Sequence, residues 1–143
     1  MKILYIACYS LFLCLFFSCK KKDSTPTTCP FTVASVAATY KLTHVYYRTT
    51  PTGTDSEIIG SLDLCKRDDL TILNGSGSLV YQDAGVTCSP SSAYVGSWSI
   101  SGNSITLETK TFTFLSFDCS NLSFYEDNRV AAGDRTTYVY TKQ

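Results

Sequence analysis

The chain has 143 residues, enough for one ordinary domain and too few for two. Lysine plus arginine and aspartate plus glutamate number 12 each, so the formal net charge is zero, which argues against a nucleic-acid-binding protein. The single histidine excludes a histidine-rich zinc site, and ten tyrosines with eight phenylalanines are typical of a β-rich domain.

The first 18 residues have the pattern of a secretory signal peptide. Lys2 precedes the apolar run Ile3–Phe17, which is shorter than the roughly 20 residues needed to span a bilayer. The end of this run, Leu15–Cys19, resembles a bacterial lipobox, in which the cysteine is acylated and becomes the new N terminus. We therefore expect residues 1–18 to be cleaved and Cys19 to carry lipid.

Residues 19–30 have the composition of an acylated cysteine followed by a flexible tether. Three lysines, Lys20–Lys22, precede a polar stretch rich in serine, threonine and proline. Such a tether is typical of an outer-membrane lipoprotein of a Gram-negative bacterium, and the basic run favours the periplasmic face over the cell surface. An uncleaved membrane anchor and a soluble secreted protein are the alternatives.

The cysteines support the same division of the chain. Of the seven, Cys8 and Cys14 leave with the signal peptide and Cys19 carries lipid, so four remain in an oxidising compartment. Four cysteines allow three pairings, and a metal site is a competing use, although none of the spacings is that of a zinc site. We favour one disulfide that closes a hairpin and one that ties the N-terminal segment to the domain wall: Cys65–Cys88 and Cys29–Cys119.

Residues 31–143 are expected to form one all-β domain. A short helix of one or two turns is predicted within Phe31–Thr39, and period-2 alternation dominates after it. Eight or nine short strands with closely spaced turns indicate an antiparallel barrel or sandwich. The predicted strands are Tyr40–Tyr47, Ile58–Leu64, Leu70–Ile72, Leu79–Tyr81, Val95–Ile100, Ile105–Leu107, Thr111–Phe117, Leu122–Phe124 and Tyr138–Tyr140.

Strict alternation also assigns side chains to faces. In the first strand it places His44 and Tyr46 on the same face as Tyr40. In the strand Thr111–Phe117 it places Phe117 on the face opposite to Phe112. These assignments are the basis for choosing residues of the barrel interior.

Three motifs resemble those of small bacterial lipocalin-like lipoproteins. Thr39–Thr43 is similar to their opening strand, with Tyr40 in place of the usual tryptophan, and Cys65–Ile72 with the following glycine turn is similar to their second motif. Gly96–Leu107 resembles their G-x-W hairpin. The resemblance covers about Ala38 to Lys142 and implies an up-and-down barrel of about eight strands, or a half-open relative of it, without catalysis. We expect no cofactor.

Aromatic side chains at alternate strand positions are the candidate lining of such a barrel. An eight-stranded barrel is just wide enough to be filled by side chains or to hold one small ligand. Tyrosine hydroxyls inside it suit a ligand with an apolar body and a polar end. The candidate lining residues are Tyr40, Tyr46, Tyr81, Trp98, Phe112, Phe114 and Tyr138.

We assign no catalytic residue and no metal ligand. The chain has no Gly-x-Ser-x-Gly elbow that positions a nucleophile, and His44 is interpreted as a half-exposed strand residue. Asp63, Asp68 and Asp69 are close in sequence but lack the spacing of a calcium loop. The family resemblance suggests instead that Asp68 and Asp69 begin a strand and accept turn amides.

Two functional hypotheses follow. The first is a lipid-anchored, non-catalytic binding module that holds a small apolar ligand or meets an envelope protein through the loops Thr49–Glu57 and Gln82–Tyr94. The second is an accessory lipoprotein whose barrel is solid and whose surface docks on a larger envelope complex. In both, the membrane is reached through the lipid on Cys19.

Overall fold

The structure is a computed structural model that describes residues 29–143. The predicted signal peptide, the acylated Cys19 and the tether up to residue 28 lie outside the described residues. Their assignments stay predictions.

Nine antiparallel strands make up about half of the described chain. Each of β3–β9 pairs with its neighbour in sequence, β1 pairs with β3, and β9 returns to pair with β1. The sheet therefore closes on itself, which confirms the predicted antiparallel, up-and-down, barrel-like fold. The strands are β1 (Ala38–Arg48), β2 (Ser56–Glu57), β3 (Leu70–Leu73), β4 (Ser78–Gln82), β5 (Tyr94–Ser101), β6 (Ser104–Leu107), β7 (Lys110–Phe117), β8 (Asn121–Asp127) and β9 (Arg135–Lys142).

One end of the barrel is closed by helix α1 (Val33–Val36), the short helix predicted near the start of the domain. Thr32 caps this helix by accepting a hydrogen bond from the Ser35 amide. Val36 is fully buried, and its carbonyl accepts a hydrogen bond of 2.8 Å from the Tyr40 hydroxyl. The helix therefore fills this end and is held to the wall by β1.

A dense apolar core lies against α1 and fills the closed end. Trp98 is 4% exposed, and its indole N–H donates to the Asn74 carbonyl at 2.8 Å, which satisfies the one polar atom of the ring. The Phe31 ring stacks on Phe114 with centroids 3.8 Å apart. The other buried members of this cluster include Leu73, Leu79, Ile105, Phe117 and Leu122.

A β-bulge in β1 corrects the predicted faces of that strand. The register against β9 shifts between Leu42 and His44, so Val45 is buried and His44 is exposed. His44 and Tyr46 therefore lie on the outer face, and their predicted position on the face of Tyr40 is wrong. One extra residue reverses every face that follows, and alternation carries no signal of it.

A second bulge corrects β7. The register against β8 shifts between Phe114 and Ser116. Phe117, 3% exposed, consequently joins Phe112 in the core, so its predicted position on the opposite face is wrong. The extra residue turns the end of β7 inward, where Phe117 contributes to the packing under α1.

The predicted strand Ile58–Leu64 is also wrong. A 3-10 turn covers Ile59–Ser61, and helix α2 covers Leu64–Arg67. The pairing positions on that side of β1 are occupied by β2 and β3, so this segment has no strand partner there. The side chains of Ile58 and Leu62 instead face the barrel interior, and the segment lies across the end of the barrel opposite α1.

Two cysteine pairs stand at disulfide distance, and they are the two pairs favoured from the sequence. Cys29 and Cys119 have Cα atoms 5.4 Å apart at the closed end, where the Cys29 amide also donates to the Phe117 carbonyl. Cys65 and Cys88 have Cα atoms 5.1 Å apart and join α2 to the loop between β4 and β5. One crosslink therefore belongs to each end of the barrel.

Candidate functional site

Two adjoining cavities occupy the half of the barrel away from α1. The first, about 300 Å³, lies beside the β6–β7 turn and is lined by Leu107, Phe112 and Phe124. The second, about 280 Å³, lies under the segment that carries Ile58 and Leu62. Four tyrosines line both cavities and form the wall that they share: Tyr81, Tyr94, Tyr138 and Tyr140.

Burial keeps these four phenols protonated. It raises the pKa of Tyr140, Tyr138 and Tyr94 well above the ordinary value, and it also raises the pKa of Tyr81. A protonated phenol donates one hydrogen bond and also accepts. The shared wall therefore presents neutral hydrogen-bonding groups on aromatic bodies throughout the physiological pH range.

Aromatic packing holds this wall in place. Tyr140 stacks on Phe124 with centroids 5.4 Å apart, and the Tyr81 and Tyr94 rings are 4.5 Å apart. The Phe112 ring meets Tyr138 edge-on at 5.7 Å. Because rings from different strands support each other, the cavity surface is preorganised.

Each cation at the cavity mouth contacts a carboxylate, whereas Glu108, which lines the first cavity, takes part in none of the ion pairs of residues 29–143. Glu126 is the centre of one cluster: its carboxylate accepts a hydrogen bond of 2.6 Å from the Tyr138 hydroxyl and forms ion pairs with Lys110 and Arg129. Lys66 is paired with Asp63 at 2.9 Å. Each cation that lines the cavities therefore has a carboxylate partner, and Lys110 and Arg129 share that of Glu126.

The structure brings three of the seven predicted lining residues to the cavities: Tyr81, Phe112 and Tyr138. Three others, Tyr40, Trp98 and Phe114, belong to the packing at the closed end. Of these, Tyr40 borders only a void of about 10 Å³ in the packed core. Tyr46 lies on the outer face and stacks beside His44.

Several cavity residues were missed from the sequence. Tyr140 follows Tyr138 by two positions in β9, so the same alternation contained the signal for it. Leu42 and Val45 both line the second cavity because the β1 bulge lies between them. Tyr94 stands at the first position of β5, where no pattern distinguished it.

Asp68 and Asp69 hold the loop between β4 and β5 against the start of β3. Asp68 accepts the Val86 amide at 2.7 Å, and Asp69 accepts the Ala84 amide and the Ser92 hydroxyl. Within residues 29–143 no group of three or more histidine, cysteine, aspartate or glutamate side chains is arranged to hold a metal ion. The aspartates therefore organise the loop that Cys88 ties to α2.

His44 lies away from the cavities. Its Nδ1 is 2.6 Å from a carboxylate oxygen of Glu57, and both side chains are 46% exposed. The contact joins the outer face of β1 to β2 and leaves the imidazole remote from the tyrosine wall.

No helix of the described part of the chain is long and apolar enough to cross a bilayer. Comparisons with protein-family models, curated proteins and solved structures find no match to this chain.

Proposed function

We propose that this protein is a lipid-anchored, non-catalytic binding protein of the bacterial cell envelope. Its ligand is a small, neutral, mostly apolar molecule that carries hydrogen-bonding groups. The observation that supports this proposal is the pair of cavities of about 300 and 280 Å³ with a shared wall of four tyrosines. Their sizes are at the lower end of ligand pockets.

The ion pairs of the lining cations support a ligand without a negative charge. A charged ligand buried here needs an unpaired protein charge, because an uncompensated buried charge is costly. Lys66, Lys110 and Arg129 already have carboxylate partners. The phenols are neutral, and those other than Tyr138, whose hydroxyl donates to Glu126, suit carbonyl or ether oxygens on a ligand.

The shape of the cavities supports a compact ligand. The tyrosine wall lies between two spaces of similar volume instead of leaving one long channel, which favours a planar or globular molecule over an extended acyl chain. Flat aromatic faces such as Phe112 and Tyr140 favour stacking with a conjugated ring system.

Nile red, a neutral planar dye with a carbonyl acceptor, tests this ligand class. We expect saturable binding with increased dye fluorescence, unchanged between about pH 6 and 9 because the phenols stay protonated. Tyr140→Phe and Tyr81→Phe should each weaken binding about two- to tenfold, since each removes one hydrogen-bonding hydroxyl. Fluorescence titration measures the dissociation constants.

Tyr46→Phe is the matched control, because it deletes the same hydroxyl from the outer face of the barrel. Its affinity for Nile red should equal that of the unmodified protein. Absence of saturable binding, or equal losses in Tyr46→Phe and Tyr140→Phe, would contradict the proposal. If the proposal is correct, native mass spectrometry of protein purified from its host should detect the natural ligand as added mass.

The lipid anchor is tested separately. Cys19→Ala should abolish incorporation of labelled palmitate and leave a precursor or soluble protein, because the acylated thiol is lost. Cys14→Ala, which alters a cysteine inside the predicted signal peptide, should leave labelling intact. Labelled palmitate in the Cys19→Ala protein would refute the lipobox assignment.

A protein partner at the mouth is a second candidate function. The observation that favours it is a set of exposed apolar side chains at that end: Leu64 is 69% exposed, Val86 61% and Val130 76%. Under this alternative the protein is an accessory lipoprotein docked on a larger envelope complex. Cross-linking in intact cells should then capture one dominant partner, and replacing these three residues by serine should remove it.

A further inference from the structure

One carboxylate of the first cavity remains outside the ion pairs at its mouth. Glu108 lines this cavity and contacts no cation within residues 29–143. Lys110, the cation that lines the same cavity, contacts Glu126 instead. The first cavity therefore has a negative charge for which the described chain provides no direct counter-charge.

The carboxylate of Glu108 lies over the inner face of β5. In this strand Tyr94 lines the cavities and Trp98 belongs to the core, so Gly96, at the alternate position between them, also faces the barrel interior. A β-carbon built on Gly96 would lie 1.7 Å from Oε1 of Glu108. The carboxylate therefore occupies the interior space that a side chain at position 96 would fill.

The backbone of the β6–β7 turn fixes this position. The turn consists of Glu108 and Thr109, and Glu108 has a φ of 59°, in the left-handed region that favours glycine. Its amide donates a hydrogen bond of 2.7 Å to the Ser97 carbonyl, which holds the turn against β5. A glutamate in this conformation costs free energy, and residues held in this way are concentrated at functional sites.

Two tyrosines of the shared wall lie within electrostatic reach of this carboxylate. Tyr81 and Tyr94 line the first cavity together with Glu108, and their rings are 4.5 Å apart. Burial raises the pKa of both phenols, and the negative charge of Glu108 raises both further. The carboxylate is therefore directed toward the tyrosine pair.

Ring faces in this cavity already attract a cation of the protein. The ammonium nitrogen of Lys110 lies 5.4 Å from the centroid of the Phe112 ring. Within residues 29–143 no cation has such a contact with Tyr81 or Tyr94. Aromatic faces attract cations through the ring quadrupole, and cages of aromatic rings recognise quaternary ammonium groups. The two rings near Glu108 therefore remain available to a cation from outside the chain.

We propose that the first cavity binds a monovalent organic ammonium ion, with the Glu108 carboxylate as its counter-charge and the rings of Tyr81 and Tyr94 as its aromatic contacts. The combination of one carboxylate and several ring faces is the chemistry that recognises a methylated ammonium group. The cavity volume of about 300 Å³ restricts the ligand to a compact molecule. This inference goes beyond the proposed function, because it gives the first cavity a second class of ligand.

Choline and its uncharged isostere 3,3-dimethyl-1-butanol test this site, because a carbon atom replaces the charged nitrogen in the alcohol. The purified full-length chain is titrated with choline chloride and compared with sodium chloride at equal ionic strength. We expect choline to cause saturable shifts of the backbone amide signals of residues 94–97 and 107–109 in nuclear magnetic resonance spectra. The alcohol should bind at least about tenfold more weakly, because it lacks the charge that Glu108 and the ring faces attract.

Two variants separate the charge of Glu108 from its position. Glu108→Gln removes the charge, keeps the shape of the side chain, and should weaken choline binding about tenfold. Gly96→Ala keeps the charge but displaces the carboxylate, because the added methyl group would overlap Oε1 of Glu108. It should also weaken choline binding. The displaced atoms are the end of a flexible side chain, so we expect this variant to fold.

Glu57→Gln is the matched control, because it removes the same charge from the outer face of the barrel, where Glu57 contacts His44. It should leave choline binding unchanged. Glu108→Gln should retain Nile red binding, since the neutral dye needs no counter-charge, and a protein that binds choline but not Nile red contradicts only the proposed function. Equal affinities for choline and the alcohol, equal responses to choline and sodium, or undiminished choline binding in both Glu108→Gln and Gly96→Ala would overturn the ammonium site.

Discussion

Replacing Tyr40 by alanine is expected to lower the free energy of unfolding by about 3–5 kcal/mol, the usual cost of deleting a buried aromatic ring. Tyr40 is fully buried at the closed end, where its ring belongs to the core and its hydroxyl binds the Val36 carbonyl. Urea denaturation followed by the fluorescence of Trp98, the single tryptophan, measures the loss.

Tyr40→Phe distinguishes the contribution of the hydroxyl to stability from that of the ring. It should cost about 1 kcal/mol, because the ring is kept and one hydrogen bond to α1 is lost. Neither variant alters the walls of the two cavities, so Tyr40→Phe should bind Nile red as the unmodified protein does. A loss from Tyr40→Phe as large as that from Tyr40→Ala would show that α1 is held mainly by the hydrogen bond.

Replacing Cys29 and Cys119 together by serine is expected to cost about 4.5 kcal/mol of stability. The pair closes a loop with a sequence separation of 90, and a crosslink restricts the unfolded chain more as its loop lengthens. The same relation gives about 3.5 kcal/mol for Cys65 and Cys88, whose separation is 23. Equilibrium denaturation of the two double variants under identical conditions measures both values.

The two double variants should also differ in ligand binding. Cys65 and Cys88 join α2 to the loop between β4 and β5, beside the second cavity, so their removal should weaken Nile red binding. Cys29 and Cys119 lie at the closed end, and their removal should leave the affinity of the remaining folded protein unchanged. A larger loss of stability from removing Cys65 and Cys88, or a larger loss of Nile red affinity from removing Cys29 and Cys119, would contradict the roles assigned to the two pairs.

Much of the burial pattern of the strands was predictable from the sequence, because a barrel buries one face of each strand. In β6, Ile105 and Leu107 are buried while the residues between and before them are partly exposed, which is the pattern that alternation predicts. The prediction failed at Leu42/His44 and Phe114/Ser116, where a bulge inserts one residue. It failed again at Ile58–Leu64, where Ile58 and Leu62 face the second cavity without belonging to a strand.

The sequence predicted that aromatic side chains line the barrel interior, but it identified only some of the residues that line the cavities. Alternation identifies which residues face inward, and three of the residues chosen on that basis, Tyr81, Phe112 and Tyr138, line the two cavities. It does not identify the height of a residue along the barrel axis. Trp98 and Phe114 therefore had the same pattern as cavity residues although they pack near α1.

The sequence by itself determined the all-β barrel and its short leading helix, because these depend on local alternation and turn residues. The even cysteine count left three pairings open, and the tertiary structure brings the two favoured pairs to disulfide distance. The tertiary structure decided which end of the barrel is filled. Val36 and Phe31 enter one end and complete its packing, whereas at the other end Ile58 and Leu62 cover the second cavity without filling it, and the tyrosines lie around open space. That difference arises from contacts between segments distant in sequence, and no local pattern encodes it.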